Sequence, residues 1–362
     1  MFSPKYTITD VLLANIKRIN SLVNELNNRR FPHVVLLELE RTAREVSTYA
    51  STSIEGNPLP LTEVKKILKS KPAHIRESEK EVLNYNQALQ DLNELLRTSP
   101  ASQHKEPEEG RVKLSIELIL KIQKQVTDGI LPAFESGHLR KQPVQVNDPR
   151  TRQVKYLPPD IKDVEPLIKD LIEFVNSNRD EQSSASHKID PLILAGLFHK
   201  QMVLIHPFTD GNGRTTRLAT KVLLAEMGLN TFNLFSFENY YNQNVTRYFE
   251  NVGEFGNYYD LVAQGIEFTS WLEYFTEGII DELLRVQKLL PEAALSPDTR
   301  LQPYHLKMLD FIREKGFITG SDYAKLTDRA KATRTKDFKK LIEMGLIDRR
   351  GKGKATYYVL ST

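Results

Sequence analysis

The chain has 362 residues, of which 40% are hydrophobic and 27% charged, with a formal net charge of +3. This length and balance predict two or three domains with ordinary buried cores. Because the chain has no cysteine, disulfides, thiolate metal sites and a cysteine nucleophile are excluded.

The N-terminal residues lack the basic stretch and following apolar stretch of a secretory signal. Nowhere does an uncharged apolar run reach the roughly 18 residues that a membrane helix needs. We therefore expect a soluble, cytoplasmic protein.

The N-terminal part of the chain is predicted to be helical, because apolar residues recur there at helical spacing. Residues 36–55 predict one helix that ends at Gly56, since glycine readily adopts the left-handed conformation just after a helix. Another helix is predicted at 77–96, and the polar, proline-containing stretch 98–110 predicts a surface loop. We take residues 1–110 as an N-terminal helical extension.

A helix is predicted at 115–128, and residues 143–157 then interrupt the helical pattern. Apolar side chains alternate there on both sides of the turn-rich sequence NDPRT, which predicts a β hairpin. Asp190 and Pro191 next predict the N-cap and the first residue of a helix that extends to about residue 204.

The sequence HPFTDGNGRTTR, residues 206–217, predicts a loop that opens a helix. The first turn of a helix has unpaired N–H groups and a positive dipole end, which favour an anion. Gly211 and Gly213 allow the backbone to approach a phosphate closely, and the Asn212 amide can donate to a phosphate oxygen.

The charged side chains of this segment complete a set for displacement at phosphorus. Arg214 and Arg217, three residues apart, can bind further phosphate oxygens. Asp210 offers a hard oxygen ligand for Mg²⁺, and His206 can take a proton from an attacking hydroxyl. Each of these residues alone also has a purely structural interpretation; their combination favours the functional one.

Residues 206–217 resemble, at every motif position, the HPFx(D/E)GNGRxxR signature of Fic-domain proteins. The hairpin at 143–157 is similar to the flap of that family, on which target backbone docks by strand addition. The helix order from about residue 115 to 284 also resembles the Fic core. The resemblance implies a mainly α fold, with a Fic-type helical bundle core at residues 111–290 and a β-hairpin flap.

The resemblance also implies roles for the motif residues. His206 would be the general base, Asp210 would hold Mg²⁺ on the α- and β-phosphates, and Arg217 would meet the γ-phosphate. The phosphate cradle and the remaining ATP-binding positions of the motif would be Gly211, Asn212, Gly213, Arg214, Thr215 and Thr216. Doc-like kinases of the family have lysine where this chain has Gly213, so the glycine favours AMP transfer over phosphorylation.

The segment STSIEG at residues 51–56 resembles the (S/T)xxxE(G/N) inhibitory motif of many Fic proteins. Ser51 and Glu55 are four residues apart and so share a helical face, with Gly56 after them. The family implies that Glu55 pairs with Arg217, so that ATP binds in a pose that hides its α-phosphorus. Alternatively, both are ordinary exposed residues at a helix end.

The segment FENYYNQNVTRYF, residues 237–249, resembles the family segment that walls the adenine and ribose. Tyr240, Asn244 and Tyr248 are four residues apart and are expected to share a helical face, with Asn244 as the polar nucleotide contact. Aromatic residues at this spacing also pack in cores. His199 is expected to be structural.

After a linker at 291–300, residues 301–362 carry fourteen basic and seven acidic residues. Three predicted helices followed by a basic hairpin suggest a winged helix-turn-helix domain. Two interpretations stay open: the third helix enters a DNA major groove, or the domain is a protein-docking or self-association surface.

The function expected from the sequence is that of an autoinhibited protein adenylyltransferase. With Mg²⁺ as cofactor and ATP as co-substrate, it would transfer AMP to a Ser, Thr or Tyr hydroxyl of a protein, this chain itself included, and release pyrophosphate. One alternative keeps the scaffold but uses a UMP or phosphocholine donor, or removes AMP. Another is a nucleotide-sensing, DNA-binding regulator without transfer activity. Partners would be ATP, a target protein and DNA, and a homo-oligomer is a further expectation.

Overall fold

The computed structural model describes residues 2–27, 33–70, 72, 74–98, 112–147, 154–179, 189–225, 227, 229, 235–295, 301–344, 346–351 and 353–360. The chain divides into two compact units. Unit 1 comprises Met1–Asn28 and Ala43–Leu284, and unit 2 comprises Arg29–Thr42 and Arg285–Thr362. None of the helices in the described ranges is long and apolar enough to cross a membrane.

Unit 1 is mainly helical. Its helices, of which α2 and α12 extend past its boundaries, are α1 (Asp10–Asn27), α2 (His33–Ile54), α3 (Leu61–Lys69), α4 (Glu77–Thr98), α5 (Ile116–Thr127), α6 (Ile161–Arg179), α7 (Pro191–Ile205), α8 (Asn212–Ala225), α9 (Phe237–Gln243), α10 (Val245–Val252), α11 (Tyr258–Gln264) and α12 (Thr269–Leu295).

Helix α7 lies in the core of unit 1: it is buried on all sides, and its sequence is apolar apart from residues 199–201 rather than on one face only. Its start is fixed as predicted: the Asp190 carboxylate accepts a hydrogen bond from the Leu192 N–H, and Pro191 occupies the first turn. A side chain at Gly196 would lie 2.6 Å from Leu272 Cδ2, so glycine is what lets α12 approach. The Trp271 indole donates to the Gly196 carbonyl at 2.7 Å.

The hairpin predicted at 143–157 forms as β1 (Val146–Asn147) and β2 (Val154–Leu157), with Val146 opposite Tyr156. Its tip, including the NDPRT turn, lies outside the described residues. A third strand, β3 (Gly256–Asn257), pairs in parallel with β2 and was not predicted. The Tyr156 hydroxyl donates to the Leu204 carbonyl at 2.8 Å, which attaches this sheet to the end of α7.

Unit 2 contains α13 (Pro303–Lys315), β4 (Ile318–Thr319), α14 (Gly320–Leu326), α15 (Lys331–Glu343), β5 (Ile347–Arg350) and β6 (Tyr357–Leu360). Its strands form one antiparallel sheet in the order β4-β6-β5. The three helices and the final hairpin occur in the predicted order, whereas the winged-helix interpretation and the domain boundaries at 110, 290 and 300 stay predictions.

The mainly α fold predicted from the sequence is confirmed. Helices predicted at 36–55, 77–96 and 115–128 occur as α2, α4 and α5 within three residues at each end. Gly56 has φ +94°, the left-handed conformation expected after a helix. The polar loop at 98–110 lies outside the described residues except for Thr98. The predicted linker at 291–300 is wrong in its first half, because residues 291–295 are the helical end of α12; residues 296–300 lie outside the described residues.

Candidate active site

The loop between α7 and α8 brings His206 to the end of one buried helix and Asn212 to the start of the next. His206 ends α7 in the left-handed conformation, with φ 49°, and its N–H donates to the Met202 carbonyl at 3.1 Å. Few residues other than glycine adopt this conformation, although histidine is among those that do so more often. The main chain therefore turns sharply at the position of the predicted base.

Asn212 holds this loop in shape. Its side-chain oxygen accepts from the Phe208 N–H and its side-chain nitrogen donates to the Phe208 carbonyl, both at 2.9 Å. One N–H of the amide is thus committed to the loop, and one is left for other partners. The expected hydrogen bond from Asn212 to a phosphate oxygen stays a prediction.

Arg140 supports the loop from the other side, a role that the sequence analysis did not predict. Its side-chain Nε donates to the His206 carbonyl and its backbone N–H donates to the Pro207 carbonyl, both at 2.9 Å. Its side-chain Nη2 donates to the Pro159 carbonyl. Burial is the main reason that the pKa of Arg140 lies below the ordinary arginine value. Because carbonyl oxygens are its main partners, Arg140 acts here as a multiple donor that positions backbone.

The His206 ring is prepared to accept a proton. The pKa of the ring lies below the usual histidine value of 6.5, and burial is the largest cause of this lowering. Its Nδ1 is 3.3 Å from the Val203 carbonyl oxygen. A carbonyl can only accept, so this contact favours the tautomer with hydrogen on Nδ1 and a lone pair on Nε2. At neutral pH the ring can therefore work as a base through Nε2.

The start of α8 holds two buried arginines, Arg214 and Arg217. Arg214 contacts Asp210 Oδ2 through Nη2 and Glu81 Oε1 through Nη1, each at 2.7 Å. Gly211 has φ +81°, and an added Cβ would lie 2.9 Å from Thr127 Cγ2. Thus Gly211 provides both the backbone conformation and the space that the loop requires.

Arg217 is fully buried, and its partners come from the end of α2. Its Nε donates to Ser51 Oγ, and its Nη2 donates to the Ser51 carbonyl and to Glu55 Oε1, each at 2.8 Å. Burial by itself lowers the pKa of Arg217, but the Glu55 carboxylate and neighbouring tyrosines outweigh it, and this pKa lies above the ordinary arginine value. The pairing of Glu55 with Arg217 expected from the sequence is thus present.

The Glu55 carboxylate lies directly above the first turn of α8. A Cβ added at Gly213 would be 2.1 Å from Glu55 Oε1 and 2.9 Å from Arg217 Nη1. That Nη1 is buried and makes no hydrogen bond of normal geometry within the described residues. The space above Gly213 therefore accepts an anion, and a carboxylate of the same chain currently fills it.

A cavity of about 480 Å³ joins these groups. Its lining includes Glu55, His206, Asn212 and Gly213, and apolar side chains of α10 form another part of its wall. On the flap side, Val146, Asn147, Lys155 and Tyr156 complete it. The predicted base, the helix N-terminus and the flap strands thus face one common space.

The expectation that Tyr240, Asn244 and Tyr248 share one helical face is wrong, because the helix breaks at Asn244. The Asn244 side chain accepts from the Arg247 N–H and caps α10. Neither Asn244 nor Tyr240 belongs to the cavity lining, whereas Tyr248 does. The Tyr240 hydroxyl instead donates to Glu277 Oε2 at 3.4 Å.

Tyr248 and His199 form a buried polar chain behind the cavity. Thr220 Oγ1 donates to the Thr216 carbonyl, so its oxygen accepts from His199 Nδ1, and His199 Nε2 then accepts from the Tyr248 hydroxyl at 3.1 Å. Burial lowers the pKa of His199 well below 6.5 and raises that of Tyr248 to about 12. Both groups are therefore neutral, and His199 has the packing and hydrogen-bonding environment of a structural residue.

Thr215 and Thr216 are fully buried and are not part of the cavity lining. Their backbone lies in the first turns of α8. Their inclusion in an ATP site stays a prediction, and it would involve the helix rather than exposed hydroxyl groups.

Residues 113–224 match the family model of the Fic/DOC family. This segment contains α5, the flap strands, α7, the motif loop and α8. Residues 113–224 are therefore similar to the Fic/DOC family, as the motif and the helix order suggested.

Among the curated relatives, the protein adenylyltransferase fic-1 of Caenorhabditis elegans is 29% identical over 59% of this chain. The protein adenylyltransferase Fic of Drosophila melanogaster is 29% identical over 60% of it. The matches span only 38% and 42% of the length of those two relatives.

Solved structures support the fold. A Fic family protein from Desulfovibrio desulfuricans aligns with 99% of this chain and 98% of its own, with a TM-score of 0.63 at 19% identity. Fic-1 from C. elegans, residues 134–508, aligns with 78% of this chain and 74% of its own, with a TM-score of 0.57 at 23% identity.

Proposed function

We propose that the chain is an autoinhibited protein adenylyltransferase that moves AMP from Mg–ATP to a Ser, Thr or Tyr hydroxyl. The observation that carries this proposal is the shared cavity of His206 and the α8 N-terminus. It puts a neutral base beside an anion-binding helix end, which is what attack of a hydroxyl on a phosphate requires. The names of the curated relatives agree with this activity.

In the proposed reaction, the target hydroxyl oxygen attacks the α-phosphorus of ATP. Its proton passes to Nε2 of His206, while the bond from the α-phosphorus to the α,β-bridging oxygen breaks and pyrophosphate leaves. The N–H groups at the start of α8 and the Arg217 guanidinium would hold the phosphates in line. Positioning and charge neutralisation are the main sources of rate in such transfers.

The side chains present fit a Mg²⁺ ion whose ligands come partly from the protein and partly from the nucleotide. The side chain of Asp210 is 46% exposed, and Gln123 donates to its backbone carbonyl at 3.2 Å. Among the described residues, no three His, Asp or Glu side chains are close enough to hold a metal by themselves. Magnesium typically takes one or two carboxylates together with phosphate oxygens and water. When bound, it neutralises phosphate charge; Asp210 would have to exchange its contact with Arg214 for it.

The proposed inhibition follows from the position of Glu55. Its carboxylate occupies the space above Gly213 and pairs with the cation that would meet the γ-phosphate. An ATP molecule in the productive pose would have to displace it. We propose that Ser51 holds Arg217 in the same way from the preceding turn of α2.

The transfer reaction can be tested with ATP labelled at either the α- or the γ-phosphate. We would use Glu55→Gly protein, with Glu55→Gly/His206→Ala to remove the base and Glu55→Gly/His138→Ala as the matched histidine control. Label from the α-phosphate alone, lost only with His206→Ala, is the expected result.

Other outcomes separate the alternatives. Label from the γ-phosphate alone would contradict adenylyl transfer and indicate a kinase orientation. If ATP labels nothing but UTP or CDP-choline gives a His206-dependent product, the same scaffold uses another donor. Release of AMP from a modified protein would indicate the reverse reaction.

A further inference from the structure

Helix α15 of unit 2 has an exposed face with basic and small residues. Lys331, Ala332, Thr335, Lys336 and Lys339 are all exposed, and steps of about four residues place them along one side of the helix. Within the described residues, neither Lys331 nor Lys336 has an ion-pair partner. The pair of Lys339 with Glu343, at 3.5 Å, is exposed on both sides and therefore contributes little.

The opposite face of α15 is fixed by a buried carboxylate. Asp337 accepts from the Tyr323 hydroxyl and from Arg329 Nε, each at 2.8 Å, and from Arg329 Nη2 at 3.1 Å. The Arg329 guanidinium in turn lies 3.7 Å above the Tyr304 ring. These contacts join α13, α14 and the turn before α15, so the exposed face is presented on a rigid support.

The sheet of unit 2 adds cations next to this support. Phe338 of α15 stacks on Tyr358 of β6 with ring centroids 4.0 Å apart, which packs the helix against the sheet. Arg349 and Arg350 on β5 are exposed.

From these features we infer that unit 2 binds double-stranded DNA, with the exposed face of α15 in the major groove and β5 against the phosphate backbone. The inference does not depend on the proposed transfer activity. An α-helix fits the major groove of B-DNA, and Ala332 and Thr335 are small enough to let its axis come close to the base edges. The deep, narrow major groove of RNA does not admit a helix, which favours DNA over RNA. Charge complementarity comes mainly from Lys331 and Lys336, which have no ion-pair partner among the described residues. The pair of Arg350 with Asp348, at 3.8 Å, is exposed on both sides and therefore contributes little.

The test is fluorescence anisotropy of the full chain with a labelled random duplex of about 20 base pairs, or two helical turns. Binding is expected at low salt and should weaken steeply between about 50 and 200 mM salt. Lys331→Gln/Lys336→Gln should lower the affinity and reduce the salt slope by about 1.8, since each lost phosphate contact removes about 0.9.

The matched control is Lys307→Gln/Lys315→Gln, which removes two exposed lysines from α13 in the same unit. All four lysines are exposed, so both variants should keep the melting temperature of the parent chain. The control should bind as the parent does.

The inference would be overturned by any of three outcomes: absence of duplex binding even at low salt, an equal loss of affinity in both variants, or tighter binding to double-stranded RNA of the same sequence. If unit 2 instead docks a protein, no duplex binding is expected, and the exposed face of α15 should be buried in a complex between copies of the chain.

Discussion

Replacing Glu55 by alanine should increase adenylyl transfer, and the contact with Arg217 sets the size of the increase. The carboxylate accepts one charge-assisted hydrogen bond at 2.8 Å from a fully buried guanidinium, while its own side chain is 28% exposed. Hydrogen bonds to charged groups contribute about 1.5–3 kcal/mol. Because Glu55 is partly solvated, about 2 kcal/mol is a reasonable value, and it corresponds to roughly a 30-fold change in rate.

The assay is the initial rate of protein labelling from α-labelled ATP at saturating nucleotide. Glu55→Ala should exceed the wild-type rate by about 30-fold, and Glu55→Gln should lie between them, because its amide still accepts a hydrogen bond but carries no charge. The control is Glu277→Ala, which breaks an Arg–Glu pair with Arg247 outside the cavity and should leave the rate unchanged.

The reasoning would be refuted by equal rates for wild type and Glu55→Ala over a range of ATP concentrations. Equal activation by Glu277→Ala would refute it as well, because a general loosening of the fold would then explain the gain. The same substitution should lower the free energy of unfolding by about 1–3 kcal/mol, since it leaves part of a buried arginine without its charged partner.

Three further predictions concern the loop and its surroundings. Gly211→Ala should lower the free energy of unfolding by about 1–3 kcal/mol in a denaturant titration, because φ is +81° and the Cβ meets Thr127; Gly320→Ala, with open space around it, should cause no loss, and equal effects would contradict the argument. Arg140→Lys in the Glu55→Ala background should slow transfer by about tenfold or more with little change in the KM for ATP, because one ammonium cannot replace the guanidinium's bonds to two carbonyls; an unchanged rate would show that the brace is dispensable. Burial lowers the pKa of both His199 and His206, so below about pH 6.5 the unfolded chain binds protons that the folded chain refuses, and stability falls as the pH drops, by at most about 1.4 kcal/mol per pH unit for each histidine. Unfolding titrations between about pH 7 and 5 should show this slope, smaller in His199→Gln; an identical slope in that variant would contradict the assignment.

Local patterns accounted for most of what the sequence predicted correctly. The start of α7 at Asp190 and Pro191, the end of α2 at Gly56 and the opening of α8 after the motif loop all depend on residues within a few positions. Capping and backbone conformation are decided at that range, so the sequence displays them directly.

The errors and omissions have a different origin. The spacing of Tyr240 and Tyr248 suggested one helix, but Asn244 binds the Arg247 N–H and starts a new one, because asparagine competes for backbone donors. Arg140 lies 66 residues before His206, and β3 joins β2 through only two paired residues. Such contacts form between segments that are distant in the sequence, so no periodicity in the chain predicts them.

The way in which the motif loop is held has a consequence for regulation. The bonds of Asn212 to Phe208 and of Arg140 to the loop carbonyls do not involve Glu55. The geometry proposed for catalysis is therefore already present while Glu55 occupies the space above Gly213, and the proposed inhibition depends on that occupancy rather than on a distorted loop. Release of such an inhibition needs no refolding step, because moving the Glu55 carboxylate away from Gly213 would be enough to open the proposed phosphate site.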